Sequence, residues 1–286
     1  MKGWISMAML LKGAEVSKAL NEKIKKEVVE LKEKGIYPTL AMVRVGERPD
    51  DISYEKGATK RCENVGVLAK HFVLSEDIIE EELLEVIHNI NEDDSIHGVL
   101  LFRPLPKHLN EDTICNAIAT KKDVDGVKNA SLAGVFTGSG EGFAPCTPRA
   151  CIEILDYYGI DCTGKKAVVI GRSLVVGKPV AMMLLEKNAT VTICHSKTKD
   201  LPSVCREADI IIVAAGSMRM IGKECFREGQ IVLDVGIHVD NEGKLCGDVK
   251  FEEAESVVKA ITPVPGGVGA VTNGVLALNV LEAAKG

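Results

Sequence analysis

The sequence lacks any regular arrangement of its cysteines. Nine cysteines occur among 286 residues, but none forms a C-x-x-C pair and their spacing is irregular. This pattern predicts neither a disulfide framework nor a zinc site. Thiols that stay reduced in the cytoplasm are the simplest interpretation, and we expect no bound metal.

The sequence also lacks an excess of positive charge and a long hydrophobic run. A formal net charge of −6 argues against nucleic acid or an anionic membrane as a partner, since both favour a basic surface. The apolar run in the opening "MKGWISMAMLLKG" is far too short to span a bilayer. No small-residue cleavage pattern follows it, so we expect no signal peptide. We interpret the first six residues as a tag or an upstream start, with Met7 an equally good start.

What the sequence does contain is an alternation of helix-like and strand-like segments. Hydrophobic residues make up 46% and charged residues 27%, so both a sizeable core and a polar surface are available. Apolar residues from Val16 to Leu31 recur at helical spacing, and Gly35 can stop that helix. A second helix is predicted at 53–65, closed by Gly66, and a third is predicted after Ser75. Strands are predicted at "TLAMVRVG", "HFVL" and "HGVLLF".

This alternation predicts an α/β fold with a mostly parallel sheet and helices on both faces. A second series begins at "PCTPRACIEILDYYG", where Thr147 suits an N-cap, Pro148 the first helical position and Gly159 the position after the last turn. Further strands are predicted at "KAVVIG", "ATVTIC", "DIIIVAA" and "QIVLDVG". The length suits two modest domains. We place them at residues 1–146 with the terminal helix at about 264–286, and at residues 147–263.

The second series contains a glycine turn between a strand and a helix, "VVIGRSLVVGKPVAMMLL". Gly171 and Gly177 bracket the turn, and Pro179 lies near the helix start. Such a turn lets backbone N–H groups and a helix N-terminus approach a pyrophosphate closely. The spacing is not G-x-G-x-x-G, and a tight β-α turn that needs glycine for its backbone alone is the alternative.

The residues after the next strand indicate which dinucleotide the turn would bind. In such folds an acidic residue about 20 positions further on usually holds the ribose 2′-OH of NAD. Here the strand ends in "ICHSKT", which has no carboxylate. Arg172, Ser196 and Lys197 could instead bind a 2′-phosphate, so NADP is predicted over NAD, which is the alternative. We interpret His195 as a polar residue at the strand end.

Four segments together resemble the methylenetetrahydrofolate dehydrogenase/cyclohydrolase family, namely "VGERPDDISY", "RPLPKHLN…KKDVDG", "GRSLVVGKP" and "TPVPGGVGAVT". "PCTP", "CHSKT" and "DVGI" occur at fitting intervals, so the resemblance covers nearly the whole chain. It implies a cytoplasmic homodimer of two α/β domains flanking a cleft, the second of them Rossmann-like. It also implies oxidation of 5,10-methylenetetrahydrofolate by NADP⁺ in one-carbon metabolism. Many members of the family also hydrolyse the methenyl product to 10-formyltetrahydrofolate.

The resemblance assigns residues to the site. Those implied for the cofactor are Gly171, Arg172, Ser173, Gly177, Ser196 and Ile237. Those implied for the folate are Tyr54, Phe102, Asp125, Pro265, Gly266 and Gly269. Of these, Tyr54 and Asp125 are the catalytic candidates.

Each folate assignment has a physical reason and an alternative. A pteridine presents an amino group beside a ring N–H, which suits the carboxylate of Asp125. Without the other motifs, an Asx-type turn before Gly126 would be the better interpretation. Tyr54 offers a flat ring for stacking or for ordinary packing. The segment "PVPGGVG" combines fixed φ at its prolines with permissive φ at its glycines. Its backbone can therefore pass close to a ligand, or form a plain surface loop.

One basic residue of the family pattern is missing. The family has a lysine four residues after the tyrosine, where this chain has Ala58. On a helix that position lies about 40° from Tyr54, whereas Lys56 and Lys60 lie about 200° and about 240° away. We therefore interpret both lysines as solvated surface residues.

Two further departures accompany the missing lysine. Phe102 stands where family members usually carry glutamine, two residues before the proline of "PLP", and Asp51 stands where serine is usual. Proton transfer by a positioned side chain is worth about 10²–10⁴-fold in rate, and water attack on the methenyl carbon needs it. Hydride transfer needs mainly that two flat rings are oriented and water is excluded. The sequence therefore predicts a dehydrogenase whose cyclohydrolase activity is weak or absent.

Three alternatives remain at this point. A bifunctional enzyme with a relocated lysine would produce 10-formyltetrahydrofolate. A non-catalytic folate- or nucleotide-binding protein is an alternative of another class, and the intact cofactor turn, Tyr54 and Asp125 argue against it. An NADP-dependent dehydrogenase for a different small acid would leave "KDVDG" and "PVPGGVG" unexplained.

Overall fold

The computed structural model describes residues 7–286, so the first six residues, interpreted above as a tag or upstream start, lie outside the described part. The chain divides into two compact units. The large-sheet unit comprises the chain up to Ser17 together with Thr147–Thr272. The small-sheet unit comprises Lys18–Cys146 and Asn273–Gly286.

The described residues form eleven strands and ten α-helices. The strands are β1 (Met9–Leu10), β2 (Thr39–Val45), β3 (Leu68–Leu74), β4 (Gly98–Leu101), β5 (Lys166–Ile170), β6 (Thr190–Cys194), β7 (Ile210–Val213), β8 (Ile231–Asp234), β9 (His238–Val239), β10 (Leu245–Cys246) and β11 (Ala260–Ile261). The helices are α1 (Gly13–Glu33), α2 (Pro49–Val65), α3 (Glu80–Glu92), α4 (Glu111–Ala117), α5 (Asn129–Thr137), α6 (Cys146–Tyr157), α7 (Gly177–Glu186), α8 (Leu201–Glu207), α9 (Phe251–Glu255) and α10 (Val268–Ala283). None of the helices in residues 7–286 is long and apolar enough to cross a membrane.

The large-sheet unit is built on six strands in the order β1-β11-β8-β7-β5-β6, and every neighbouring pair is parallel. β7 and β8 are buried along their whole length, as expected for central strands covered on both faces. An antiparallel pair, β9 with β10, follows β8 in the chain. The predicted α/β class with a parallel sheet is confirmed.

The N-terminal segment differs from the predicted division of the chain. β1 pairs with β11, with Met9 opposite Ala260, so this segment belongs to the six-stranded sheet. The predicted division instead groups it with the rest of residues 1–146. The physical reason for the difference is a pairing of two-residue strands, which leave no periodic signal in a sequence.

The small-sheet unit contains three parallel strands in the order β3-β2-β4. β2 is buried at all seven positions because helices cover both of its faces. Ala41, Val43 and Val45 pack on one face in a cluster with apolar residues of α3 and α4. The other face carries Arg44, which bonds to Glu55 of α2.

Helix α6 begins slightly earlier than predicted. It starts at Cys146, so Thr147 lies in its first turn rather than at the N-cap. Pro148 also lies in this first turn, where a missing N–H costs no helical hydrogen bond. Gly159 follows the last turn with φ 65°, as predicted.

Candidate functional site

Helix α2 carries Tyr54 beside its buried face. Pro49 occupies the first turn, and Gly66 ends the helix with φ 83°. The buried residues of α2 recur at helical spacing and are Asp51, Glu55, Ala58, Cys62 and Val65. Tyr54 lies next to this stripe and is 42% exposed. Tyr54 therefore lies at the edge of the helix face that is fixed on the sheet.

A buried ion pair fixes α2 on the small sheet. Arg44 Nε lies 2.8 Å from Glu55 Oε2, and the Arg44 guanidinium also donates to the carbonyl of Gly46. Glu55 Oε1 lies 2.8 Å from Nδ1 of His71 on β3. Burial raises the pKa of Glu55, but hydrogen bonds from His71 and Arg44 outweigh it and leave the pKa below its usual range. The helix is thus held to two strands by one carboxylate.

Phe102 meets Tyr54 at the end of β4. The Phe102 amide donates to the carbonyl of Val43 at 3.0 Å, which places the residue beside β2. The two rings lie edge to face, with centroids 5.9 Å apart and planes at 80°. Both line a cavity of about 400 Å³, whose other lining residues are Arg48, Asp50, Asp51, Leu100, Leu101, Arg103 and Asp125. The structure therefore brings Tyr54, Phe102 and Asp125 to one cavity.

No lysine is among the described residues that line this cavity. Ala58 lies in the buried stripe and is 1% exposed, while Lys56 and Lys60 are both exposed. Arg48 and Arg103 supply positive charge, but a guanidinium does not lose its proton and so does not act as a base. The cavity offers flat apolar walls, two cations and carboxylates, without an amine.

The Asp125 carboxyl is partly buried in this cavity and accepts a hydrogen bond from the Cys146 thiol. Burial raises the pKa of Asp125 to about 6, while the charge of Arg103 and the Cys146 bond oppose the rise. Asp125 is therefore ionised at neutral pH and can accept two hydrogen bonds. Burial, and then the charge of Asp125, raise the pKa of Tyr54, which stays a neutral phenol.

The carboxylate that holds the loop around Gly126 belongs to Asp123 rather than to Asp125. Asp123 Oδ1 accepts from the amide of Val127 at 3.0 Å, and Oδ2 accepts from the amide of Lys128 at 2.8 Å. Gly126 has φ 68°, and a Cβ there would lie 2.5 Å from the nitrogen of Pro145. Asp123 and Gly126 thus hold the loop, and Asp125 lines the cavity.

The glycine turn of the large-sheet unit lies between β5 and α7. Gly171 has φ 138°, and a Cβ there would lie 2.2 Å from the carbonyl oxygen of Ala214. A Cβ at Gly177 would lie 2.3 Å from the carbonyl oxygen of Gly171. Ser173 Oγ accepts from the amide of Val176 at 3.1 Å, which helps to start α7. Glycine is needed at both positions because protein backbone packs directly against them. A glycine turn that leads into a helix N-terminus is also a typical site for a pyrophosphate.

The residues predicted to bind a 2′-phosphate follow neighbouring strands. Arg172 follows β5, and Ser196 and Lys197 follow β6, which pairs with β5 in parallel. Carboxyl ends of parallel strands meet at one edge of a sheet, so the three exposed residues share the edge of the glycine turn. His195 Nδ1 accepts from the amide of Lys197 at 3.1 Å, which gives His195 a local role in the turn.

A second cavity lies in the large-sheet unit. Ile237, implied for the cofactor, lines it together with Pro265, Gly266 and Gly269, implied for the folate. Its volume is about 310 Å³. A Cβ at Gly269 would lie 3.0 Å from Ile237 Cδ1, so the two segments are in contact there. The "PVPGGVG" segment is thus a cavity wall.

Two buried carboxylates near this cavity, Asp234 and Asp248, escaped the sequence analysis. Burial raises the pKa of Asp234 to about 6. The available signal was a glycine within two residues of each aspartate, in "DVG" and "CGDV", a pattern common in ordinary turns. Within residues 7–286, no group of three or more His, Cys, Asp or Glu side chains is arranged to hold a metal ion.

Two family models match the chain. The model described as the tetrahydrofolate dehydrogenase/cyclohydrolase catalytic domain matches residues 11–125. The model described as the NAD(P)-binding domain of the same family matches residues 145–286. The bifunctional protein FolD of Clostridium botulinum (strain Langeland) is 52% identical over 279 residues, which cover 98% of this chain and 99% of the relative.

Solved structures agree with these matches. The chain is similar to the bifunctional FolD methylenetetrahydrofolate dehydrogenase/cyclohydrolase of Campylobacter jejuni, with 44% identity, a TM-score of 0.94, and coverage of 97% of this chain and 99% of that one. It is also similar to the Trypanosoma brucei methylenetetrahydrofolate dehydrogenase-cyclohydrolase complexed with NADP cofactor and inhibitor. That match has 32% identity, a TM-score of 0.89 and 98% coverage of each chain.

Proposed function

The chain belongs to the tetrahydrofolate dehydrogenase/cyclohydrolase family, and from this we propose that it oxidises 5,10-methylenetetrahydrofolate to 5,10-methenyltetrahydrofolate with NADP⁺. The observation that carries the proposal is the cavity shared by Tyr54, Phe102 and Asp125. It combines flat ring surfaces with the carboxylate of Asp125, which suits a pteridine. The matching cofactor site is the glycine turn of the large-sheet unit.

The residues of the small-sheet unit bind and orient the folate. The Asp125 carboxylate accepts hydrogen bonds from the pteridine amino group and the adjacent ring N–H. The Tyr54 and Phe102 rings supply the flat walls and keep water from the reacting carbon. That carbon loses a hydride and becomes the methenyl cation, without a proton transfer to the protein.

The residues of the large-sheet unit fit NADP⁺. Gly171 and Gly177 form the turn that leads into the N-terminus of α7, where a pyrophosphate would bind, and Arg172, Ser196 and Lys197 would hold the 2′-phosphate. When bound, the nicotinamide supplies the hydride acceptor. NAD⁺ lacks the 2′-phosphate, so we propose that it binds more weakly.

We further propose that cyclohydrolase activity is weak or absent. Opening the methenyl ring requires activation of water and proton transfer, which an amine near the reacting carbon would provide. Among described residues the cavity is lined by Phe102 and by no lysine, and Ala58 is buried in α2. Asp51 lines the cavity at 3.8 Å from Arg48 Nε and is the carboxylate that could serve as a substitute base.

Two assays on the purified protein test these proposals. Adding 5,10-methylenetetrahydrofolate and NADP⁺ should produce NADPH, whereas a non-catalytic binding protein would produce none. Added methenyltetrahydrofolate should hydrolyse at the uncatalysed rate. Rapid enzymatic hydrolysis would refute the second proposal, and its loss in Asp51→Asn or Lys60→Ala would identify the base used.

We also propose a cytoplasmic homodimer whose partners are tetrahydrofolate derivatives, without nucleic acid or membrane. All nine cysteines are buried, which suits thiols in a reducing compartment. The net charge of −6 disfavours polyanionic partners. Sedimentation equilibrium should give twice the mass of 30.7 kDa, and a monomer mass would contradict the dimer.

A further inference from the structure

Three segments of the large-sheet unit are joined by two buried carboxylates. The segments are residues 214–217 after β7, residues 235–238 after β8, and residues 247–249 after β10. Asp248 is 0% exposed and Asp234 is 4% exposed. Carboxylates so deeply buried must be compensated by hydrogen bonds, and the partners of these two show what they hold in place.

Asp248 accepts four hydrogen bonds. Its Oδ2 accepts from the amides of Ala215 at 2.7 Å and Gly216 at 2.9 Å. Its Oδ1 accepts from the amide of Ser217 at 2.8 Å and from His238 Nε2 at 2.7 Å. Three successive backbone amides converge on one carboxylate, as they do around bound anions. Asp248 thus fixes the backbone of residues 215–217.

Asp234 in turn fixes the segment that carries Asp248. Its Oδ1 accepts from the amides of Gly236 at 3.0 Å and Asp248 at 3.1 Å. A Cβ at Gly236 would lie 2.6 Å from the carboxyl carbon of Asp248, and a Cβ at Gly247 would lie 2.0 Å from Asp234 Oδ2. The carboxylates therefore pack directly on glycine backbone, which leaves the three segments little freedom to shift.

This arrangement reaches the residues assigned to the cofactor. Ala214, which precedes the amides held by Asp248, has its carbonyl oxygen against Gly171 in the glycine turn. Ile237 lies between Gly236, which bonds to Asp234, and His238, which bonds to Asp248. The packing of the glycine turn and the placement of Ile237 thus both depend on the Asp248 carboxylate.

We propose that Asp248 is a positioning residue for NADP⁺ binding. It acts through residues 215–217 and His238, which fix the surroundings of Gly171 and Ile237. The inference rests on the proposed function in one respect, that the dinucleotide binds at the turn of residues 171–177. Part of the affinity for NADP⁺ then depends on a carboxylate that lies outside the turn.

The test is Asp248→Asn in the full-length protein. An asparagine of the same shape accepts through one oxygen and presents an NH₂ group to donors, so it cannot satisfy the four partners. The dissociation constant and KM for NADP⁺ should rise by about tenfold or more. The KM for 5,10-methylenetetrahydrofolate should change by less than about twofold, a split that general loosening would not produce. A folded variant with wild-type NADP⁺ affinity would overturn the proposal.

Asp209→Asn is the matched control. Asp209 Oδ2 accepts from the amide of Lys166 at 3.0 Å, at the opposite, amino edge of the same sheet. This variant should bind NADP⁺ as the wild type does. If Asp209→Asn weakened NADP⁺ binding as much as Asp248→Asn does, the effect would be a general loss of stability, and the proposal would be overturned.

His238→Ala covers the case in which Asp248→Asn does not fold. It removes one of the four donors and should raise the dissociation constant of NADP⁺ by about threefold, and an unchanged constant would refute the proposal.

Direct NADP⁺ titration separates this inference from the proposed function. A wild-type protein that binds NADP⁺ without oxidising the folate disproves the reaction alone, and one that does not bind NADP⁺ disproves both.

Discussion

At the scale of single residues, the proposal of weak cyclohydrolase activity rests on Phe102 and Ala58. Phe102 is 6% exposed and meets the Tyr54 ring edge to face, while Ala58 is buried in the stripe that faces the sheet. Hydrocarbon therefore occupies the positions where the family pattern has an amide and an amine. Such walls suit hydride transfer, since they hold a flat substrate and exclude water.

Restoring both polar groups should restore hydrolysis. In Ala58→Lys with Phe102→Gln, burial lowers the pKa of the new amine, so it can act as a base near neutral pH. Hydrolysis of methenyltetrahydrofolate should rise by about 10²-fold or more over the wild type, measured as loss of the methenyl compound. Ala58→Met with Phe102→Gln is the control, with similar bulk and no amine. Equal rates for the two double variants would contradict the role given to the amine.

Replacing Asp125 should weaken folate binding but stabilise the folded protein near neutral pH. Its folded pKa of about 6 exceeds the ordinary 3.8, so the folded state holds the proton more tightly and stability falls as pH rises between these values. Asp125→Asn cannot ionise. At a pH of about 7.5 it should therefore unfold at a higher temperature than the wild type, with the gain lost at about pH 4. Its KM for the folate should rise.

The control for that prediction is Asp161→Asn, which should show the opposite sign. Hydrogen bonds to the backbone and side chain of Thr163 lower the pKa of Asp161, so its contribution to stability is present at neutral pH and lost in acid. Thermal unfolding of both variants across pH checks the pair. A lower unfolding temperature for Asp125→Asn at pH about 7.5 would contradict the assigned shift.

At the scale of structural elements, the glycine turn supports the proposed cofactor site, and the attachment of α2 supports the cavity of Tyr54. Gly171 and Gly164 both have positive φ, but a Cβ would collide with backbone only at Gly171, since a Cβ at Gly164 would have no neighbour within 4 Å. Gly164→Ala should cost about 1 kcal/mol of unfolding free energy and leave NADP⁺ binding intact. Gly171→Ala should also abolish NADP⁺ binding, measured by titration calorimetry. Wild-type affinity in Gly171→Ala would show that the turn is not the cofactor site.

The Arg44–Glu55 pair should behave as a unit. Arg44→Met or Glu55→Met alone leaves a buried charge without its partner and should cost about 3 kcal/mol in denaturant unfolding. The double variant should lose much less than the sum, because methionine replaces both charges by hydrocarbon. Additive losses would mean that the two side chains are not coupled. Tyr54 lies one residue from Glu55, so the single variants should also weaken folate binding.

The same elements show how far the sequence could predict the structure. β2, β5, β7 and β8 were predictable because each is a buried apolar run longer than three residues. β1 and β11 were not, since two-residue strands form only where a partner already exists. The ion pair of Arg44 was hidden inside an apolar run, and Asp248 meets amides more than thirty residues earlier in the chain. Contacts of this kind depend on which distant residues the fold brings together.

At the scale of the whole molecule, the two ligands should protect different parts of the chain. NADP⁺ should slow hydrogen exchange within Thr147–Thr272, with the largest effect at residues 171–177, and a folate should slow it within Lys18–Cys146 and at residues 265–269. Peptide-resolved hydrogen exchange with each ligand alone measures this. Folate protection confined to Thr147–Thr272 would contradict the assignment of the pteridine to the cavity of Tyr54.

The nine buried thiols give the protein a set of internal reporters. Cys62, Cys115 and Cys146 lie in the small-sheet unit, and the other six lie in the large-sheet unit. An alkylating reagent should leave the native enzyme unmodified and active, because it attacks only thiols that become accessible. Mass spectrometry of the alkylated cysteines would then report which half of the molecule opens first on heating. No label would have to be engineered.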